Sequence, residues 1–266
     1  MPADFHVHSS YSFDSDSPLS AYLDRENHLL LTTDHLELAN SVDDGRDDVP
    51  DFAEIARQME FIRQESGDAG LETVVGAEVG YCREHLGRLE ELVATDGIAL
   101  RLLSFHAYQG HDWIETEAHA SMGDDDYAKA YFDLVLEGVE RLGGQAQVLA
   151  HLDYPFRYRP SIDSRVLFRR FGGRIRAIID ACDRQGLVVE LNTKSMYTYG
   201  RETFYDLLLE TIAGRDDGGR PVPVCLGSDC HPAGNWHAGF DRAAGLAASH
   251  GLKPLDWVDM RGRLTR

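Results

Sequence analysis

Residues 29–35 read LLLTTDH, in which an apolar run of strand length, Leu29 to Thr33, passes directly into Asp34 and His35. Reactive side chains placed where an apolar run stops are what strands need if their ends share one face. The same punctuation recurs along the chain. Strand candidates are Ala3–His8, Leu29–Thr33, Leu71–Val79 with Glu78, Leu100–Phe105 followed by His106, Val148–His151, Leu187–Leu191 and Val222–Leu226. Between them lie helix candidates: Pro18–Glu26, Asp51–Glu65, Arg83–Val93, Asp126–Leu142, a stretch softened at Gly172 and Gly173, Glu202–Ile212 and a final helix Ala238–Ser249. In Asp51–Glu65, Phe52, Ile55, Ala56, Met59 and Ile62 fall on one face at helical spacing. Roughly seven strand-helix units predict an α/β fold, a closed or nearly closed TIM-like barrel. A doubly wound open sheet is the alternative.

Length and composition fit that reading. The 266 residues equal nearly two average domains of ~150 residues, yet α/β barrels use such lengths as one domain. The acidic, glycine-rich GRDDGGRP at 214–221 reads as a surface turn because strand and helix candidates resume after it. One domain over 1–266 is therefore expected. Hydrophobic residues make up 43 % and charged residues 27 %, enough apolar material for a core. With 45 acidic against 26 basic residues the formal charge is -19, which argues against long nucleic acid or an anionic membrane as partner. A small phosphorylated substrate at a locally positive site remains compatible. No run approaches the ~18 apolar residues of a membrane span, and no signal-peptide pattern opens the chain, so the expected compartment is the cytoplasm. Cys82, Cys182, Cys225 and Cys230 form no CxxC pair and are expected to be free thiols. Nothing in the pattern reveals an oligomeric state.

The chemistry resides at the strand ends: His6, His8, Asp14, His35, Glu78, His106, His151, Asp229 and His231. Residues two apart on a strand point to the same side, so His6-x-His8 and Asp229-x-His231 can each present two ligands to one cavity. Two such pairs with isolated imidazoles and carboxylates predict a cluster of divalent ions, with zinc, iron and manganese all suited to the donors. Asp14 is the weakest member, because Asp16 competes with it and both can cap a helix. His111, His119 and His237 read as surface or rim residues.

In order along the chain, DFHVHSSYS, TTDH, GAEVGY, SFH, AHLDYPFRY, VELNT and GSDCH resemble the polymerase-and-histidinol-phosphatase superfamily. More narrowly they resemble its monofunctional histidinol phosphate phosphatases. The resemblance spans about residues 4 to 250 and implies a distorted seven-stranded barrel with two or three divalent metals, Zn, Mn or Fe, at the C-terminal face of the strands. It implies a first metal on His6, His8, Glu78 and Asp229, with Glu78 bridging to a second on His106 and His151. A third would use Asp14, His35 and His231, although relatives often have histidine where Asp14 stands.

The fitting reaction is hydrolysis of a phosphate monoester by metal-activated water, and the resemblance implies L-histidinol phosphate as the ester, in histidine biosynthesis. Arg157 is the expected phosphate clamp, since a guanidinium can bind two phosphate oxygens, with Arg159 as its local competitor. Asp229, Asp34 or His231 are the candidates for orienting water or relaying the leaving-group proton. Around the ester, His111, Tyr154, Asn192, Lys194 and Tyr197 are rim candidates, and Glu37 a candidate for amine recognition. The GHDWIETEAHASMG loop is long enough to cover a site. Two other readings stay in view: a phosphoesterase acting on nucleotides or short oligonucleotides, and a metal-binding accessory protein without catalysis.

Overall fold

The structure, a computed structural model, describes residues 2–215 and 221–264; most of the turn expected at 214–221 lies outside them. Among these residues are ten strands, β1 (Leu23–Asp24), β2 (Leu29–Asn40), β3 (Arg46–Asp48), β4 (Glu72–Gly80), β5 (Leu100–Ser104), β6 (Ala107–Tyr108), β7 (His111–Asp112), β8 (Val148–Leu149), β9 (Val188–Asn192) and β10 (Val224–Gly227), and seven α-helices. The helices are α1 (Phe52–Ser66), α2 (Leu86–Val93), α3 (Asp124–Leu142), α4 (Ser164–Gln185), α5 (Glu202–Ala213), α6 (Phe240–Ser249) and α7 (Trp257–Leu264). The main sheet runs β1-β2-β4-β5-β8-β9-β10, and every pairing from β2 onward along that path is parallel.

The N-terminal segment joins the two edges of this curled sheet. Phe5 N–H donates to Leu226 O at 3.1 Å and His8 N–H to Cys230 O at 3.0 Å, while Thr33 N–H donates to Val7 O at 2.9 Å. Ala3–His8, expected as a regular strand, is thus an extended insert whose one ladder bridge is Val7 to Cys230. With it the sheet becomes a distorted seven-stranded barrel.

Strand alternation divides the core. Leu100, Leu102, Val148, Val188 and Cys225 belong to an inner cluster. Leu103, Leu149, Val189, Leu191, Val224 and Leu226 belong to an outer one shared with α3, α4 and α5. By the same alternation Glu190 and Asn192 share the inward side of β9 with Val188, and Glu78 faces opposite to its outer-cluster neighbours Ala77 and Val79. Glycines make room for two inward carboxylates. A Cβ at Gly80 would lie 1.9 Å from Glu37 Oε2, and one at Gly227 1.9 Å from Glu190 Oε1.

Several elements differ from the sequence reading. Pro18–Glu26 is a 3-10 turn over Leu19–Tyr22 followed by β1, because Asp24 accepts the N–H groups of Glu26 and Asn27 at 3.0 Å each and folds the chain back as a hairpin onto β2. The second strand runs past His35 to Asn40, since its later residues pair with β3. The chain after 108 is no open loop: it begins with the β6–β7 hairpin, and Trp113 is fully buried. A short π-helical turn, Lys194–Thr198, follows β9, and α7 extends the fold beyond the helix expected to be last.

Helix α4 continues through Gly172 and Gly173 without a break. Two glycines cost about 1 kcal/mol each in a helix, but Leu167, Ile175, Ile178, Ile179 and Cys182 are buried on this helix, at about 1.5–3 kcal/mol for each large apolar side chain. A Cβ at Gly173 would meet nothing within 4 Å. Gly173→Ala is therefore expected to raise stability by about 0.5–1 kcal/mol in denaturant unfolding; a destabilised variant would contradict an unstrained helix there. Among the described residues no helix is long and apolar enough to cross a membrane, and the four cysteines are free.

Candidate functional site

Glu78 sits at the centre of the inward-facing polar cluster. In register it pairs with His35 across β2 and β4, and its Oε2 lies 3.0 Å from His35 Nδ1, 3.2 Å from His6 Nε2 and 3.4 Å from His8 Nε2. Its Oε1 lies 2.6 Å from His151 Nε2 and 3.1 Å from His106 Nε2. Five imidazoles converge on one buried carboxylate. Donor atoms gather within 4.8 Å in four sets: His6, His8 and Asp229; His6, Glu78 and His151; His8, His35 and His231; His35, Glu37 and His106. Asp14 approaches the rim of the cluster, with Oδ2 2.8 Å from His231 Nε2 and 3.7 Å from His35 Nε2.

The donors fit divalent cations. His6 Nε2, His8 Nε2, His35 Nδ1 and Glu78 Oε2 are buried polar atoms with no hydrogen-bond partner, an arrangement that costs free energy unless something charged is shared among them. Imidazole nitrogens with carboxylate oxygens suit zinc, manganese or iron. Burial pulls His6 down, but Glu190 and Glu78 outweigh it and hold the ring well above its usual range. Burial pushes Glu78 up, and His6, His106 and His35 overcome that and hold it well below. Against the pull of burial, Glu78 also raises His35 and, with Glu37, His106, whereas burial lowers His8 and His151. Any proton on a ring nitrogen must leave before a cation binds through that atom.

Behind these side chains stand carboxylates that fix them. Glu190 Oε1 is 2.7 Å from His6 Nδ1, and Glu190 Oε2 accepts the His151 N–H at 2.6 Å. Glu37 Oε1 is 2.6 Å from His106 Nδ1. Each occupies space that a strand glycine leaves open, so both Nε2 atoms are turned toward Glu78.

One wall is cationic. Arg157 is buried, donating from Nε to Ser195 Oγ at 2.6 Å, from one terminal nitrogen to Asp229 Oδ2 at 3.0 Å and from the other to Asn192 Oδ1 at 3.0 Å. Lys194 Nζ stands 3.1 Å from Asp229 Oδ1 and 3.2 Å from His231 Nδ1. Burial would raise Asp229, but Lys194 and Arg157 keep it ionised, well below the usual carboxylate range. A cavity of about 350 Å³ opens over this wall and over Asp14, His35, Glu78, His106, His151 and His231.

A family model for the PHP domain matches residues 4–194. The chain belongs to the PHP family. Probable histidinol-phosphatases from Clostridium acetobutylicum and Thermotoga maritima are 24 % and 26 % identical to it, over 96 % and 90 % of this chain and 96 % and 88 % of theirs. The fold superposes with a TM-score of 0.81 on a histidinol phosphate phosphatase from Lactococcus lactis, solved with zinc, L-histidinol and phosphate. That protein is 21 % identical, with 96 % of this chain and 95 % of the other covered.

Within this PHP site the structure redistributes several expected roles. Arg157, Lys194, Tyr154 and Glu37 line the cavity. His111 does not: its side chain is 55 % exposed and faces Glu115 at 3.6 Å. Tyr197 packs against Gly239 beneath Arg242, outside the main cavity. Asn192 stands behind Arg157 rather than on the rim, because the inward turn of β9 buries it. Asp34 is fully buried and accepts from Ser9, Ser12 and Thr32, so it ties the N-terminal insert to β2 instead of facing substrate. His119, expected at the surface or rim, is buried with Nε2 3.1 Å from Asp112 O. His237 stacks on Trp236, away from the cavity. Arg159 pairs with Asp124 at 2.9 Å and is no competitor for the clamp.

Sequence reasoning missed Glu190, Asp112, Tyr158 and Tyr199. The signal for Glu190 was present: a lone carboxylate inside the apolar run LVVELN, two residues before Asn192 and so on the same side of the strand. Glu190→Gln is expected to weaken zinc binding about 10- to 100-fold by releasing the His6 ring, measured by competition with a chromogenic chelator. Unchanged affinity would show that His6 needs no such partner.

Proposed function

We propose that this chain, acting as one domain over 1–266, hydrolyses L-histidinol phosphate to L-histidinol and inorganic phosphate, in the cytoplasm and as a step of histidine biosynthesis. The observation that carries the reading is the juxtaposition, in one small cavity, of the Glu78-centred imidazole cluster with the Arg157–Lys194 wall. The names of the PHP relatives support the choice of ester. A cavity of about 350 Å³ suits a compact ligand rather than a polymer.

His6, His8, His35, Glu78, His106, His151, Asp229, His231 and Asp14 would hold two or three divalent ions, zinc, manganese or iron. Such ions supply positive charge to phosphate oxygens and lower the pKa of water to give a nucleophile. Arg157 and Lys194 bind and orient the phosphate. Each terminal nitrogen of Arg157 carries a second N–H beyond the bonds to Asp229 and Asn192, which is what clamping requires. Asp229, kept ionised, can accept a hydrogen bond from attacking water but has no proton to give. With two ions held by the other donors, His231, between Asp14 and Lys194, is left as the group placed to hand a proton to the leaving oxygen; with a third ion bound it would be a ligand instead.

The test measures phosphate release from histidinol phosphate, nucleoside monophosphates, a bisphosphorylated nucleotide and an aryl phosphate. The metal-loaded protein is expected to favour histidinol phosphate, to lose activity on chelation, and to regain it with one of the three metals. Comparable or faster turnover of nucleotides would overturn the substrate. Full activity after exhaustive chelation would overturn the metal role.

A further inference from the structure

The end of the cavity away from Arg157 has a different chemistry. Asp14, Glu37, Glu78 and Asp229, which also line it, each face an imidazole, guanidinium or ammonium at 3.0 Å or less. Asp112 lines the same cavity and is 6 % exposed, yet no cationic side chain of the described residues forms an ion pair with it. Its Oδ1 accepts the Ile114 N–H at 2.8 Å and the Tyr154 hydroxyl at 3.2 Å; its Oδ2 has only that hydroxyl, at 3.4 Å. A buried carboxylate with one nearly free oxygen is costly unless a cation completes it, and burial accordingly raises its pKa to about 6.

The residue is rigidly presented. Its N–H is held by Ser41 Oγ at 2.9 Å, and the next side chain, Trp113, is buried beneath it. Tyr154 links this end to the other: its hydroxyl meets Asp112, and its ring lies 5.2 Å from the Arg157 guanidinium carbon. One tyrosine side chain therefore spans the distance from phosphate clamp to free carboxylate. Apolar surface gathers at the same mouth. Of six large hydrophobic side chains exposed in the described residues, Phe13, Val42 and Ile114, at 40, 43 and 47 %, all line this one cavity. Exposed apolar groups concentrated around a polar cavity mark a place for an organic moiety.

We infer that Asp112 is the specificity-determining residue that pairs with a substrate ammonium a few bonds from the phosphate, with Phe13, Val42 and Ile114 holding the ring attached beside it. The inference rests on the phosphatase reading above and adds the basis of its selectivity. Aminoalkyl phosphates are selected by charge at Asp112, and among them a ring-bearing one by the collar.

The experiment compares histidinol phosphate with its deamino analogue, 3-(imidazol-4-yl)propyl phosphate, on the metal-loaded full chain. Wild type is expected to favour the amine by about 10- to 100-fold in kcat/KM, chiefly through KM, and Asp112→Asn to bring the ratio below about threefold. A wild-type ratio near one, or a folded Asp112→Asn protein that keeps the preference, would overturn the role of Asp112. Ile114→Ala, a change at the exposed mouth that should fold whatever Asp112→Asn does, is expected to cut the preference for histidinol phosphate over O-phosphoethanolamine at least fivefold; no change overturns the collar. If histidinol phosphate is not hydrolysed while p-nitrophenyl phosphate is, the substrate reading fails on its own. The Asp112 site is then decided by O-phosphoethanolamine against ethyl phosphate, and equal kcat/KM on that pair overturns it.

Discussion

Replacing Glu78 by Gln is expected to remove about 10³-fold or more of the phosphate-releasing activity and most of the bound metal. The Glu78 carboxylate lies at the centre of the site, within 3.4 Å of His6, His8, His35, His106 and His151. Glutamine keeps the volume but replaces one anionic oxygen by an amide nitrogen that cannot ligate a cation or bridge two. The amide also leaves protonated imidazoles such as His6 and His106 without their shared counter-charge, so the metal-free protein should be destabilised as well. Metal analysis of the purified protein, alongside kcat/KM, reads both effects. A Glu78→Gln protein with its full metal complement and activity within tenfold of wild type would place the reacting centre elsewhere.

Arg157 carries the second large effect, and here the structure changes what a truncation reports. The side chain is buried, bonded to Ser195, Asp229 and Asn192, and its guanidinium carbon lies 5.2 and 5.5 Å from the ring centres of Tyr154 and Tyr199. Arg157→Ala removes the phosphate clamp and also takes away one of the two cations on Asp229, leaving Lys194 on the other oxygen and the buried Asn192 Oδ1 without its guanidinium donor. A loss of about 1–3 kcal/mol in stability is expected from the second effect alone. Arg157→Lys separates the two. It retains a charge near Asp229 but cannot make the planar fork, so unfolding should change little while kcat/KM falls about 10²-fold. Denaturant unfolding and steady-state kinetics on both variants provide the test. If Lys restores activity as well as stability, Arg157 serves as a counter-charge for Asp229 and clamps nothing.

The parts legible in advance were those set by local chemistry. An apolar run ending in Asp34 and His35, and the alternation in His6-x-His8, are properties of a strand whatever surrounds it, and from them came the barrel, the inward face and the imidazoles and carboxylates gathered on it. Segments decided by competing interactions read less well. Pro18–Glu26 has helical composition, but the Asp24 side chain captures the next N–H groups and turns the chain back. Gly172 and Gly173 look like a break, yet the buried face of α4 outweighs their cost.

The sequence by itself therefore determined that strands and helices alternate and that imidazoles and carboxylates, donor types that suit divalent cations, collect at the strand ends. Tertiary structure alone decided how those donors are grouped, since His8 meets both Asp229 and His231 only once the N-terminal insert lies between β10 and β2. It also decided that Glu37 turns to His106 and Glu190 to His6, through space that Gly80 and Gly227 leave open, and that Asp112 faces the cavity without a cation of its own. The physical reason is one of range. Periodicity reports which side of a strand a residue occupies, whereas the partner it meets across the barrel depends on register and closure, which no short stretch of sequence encodes.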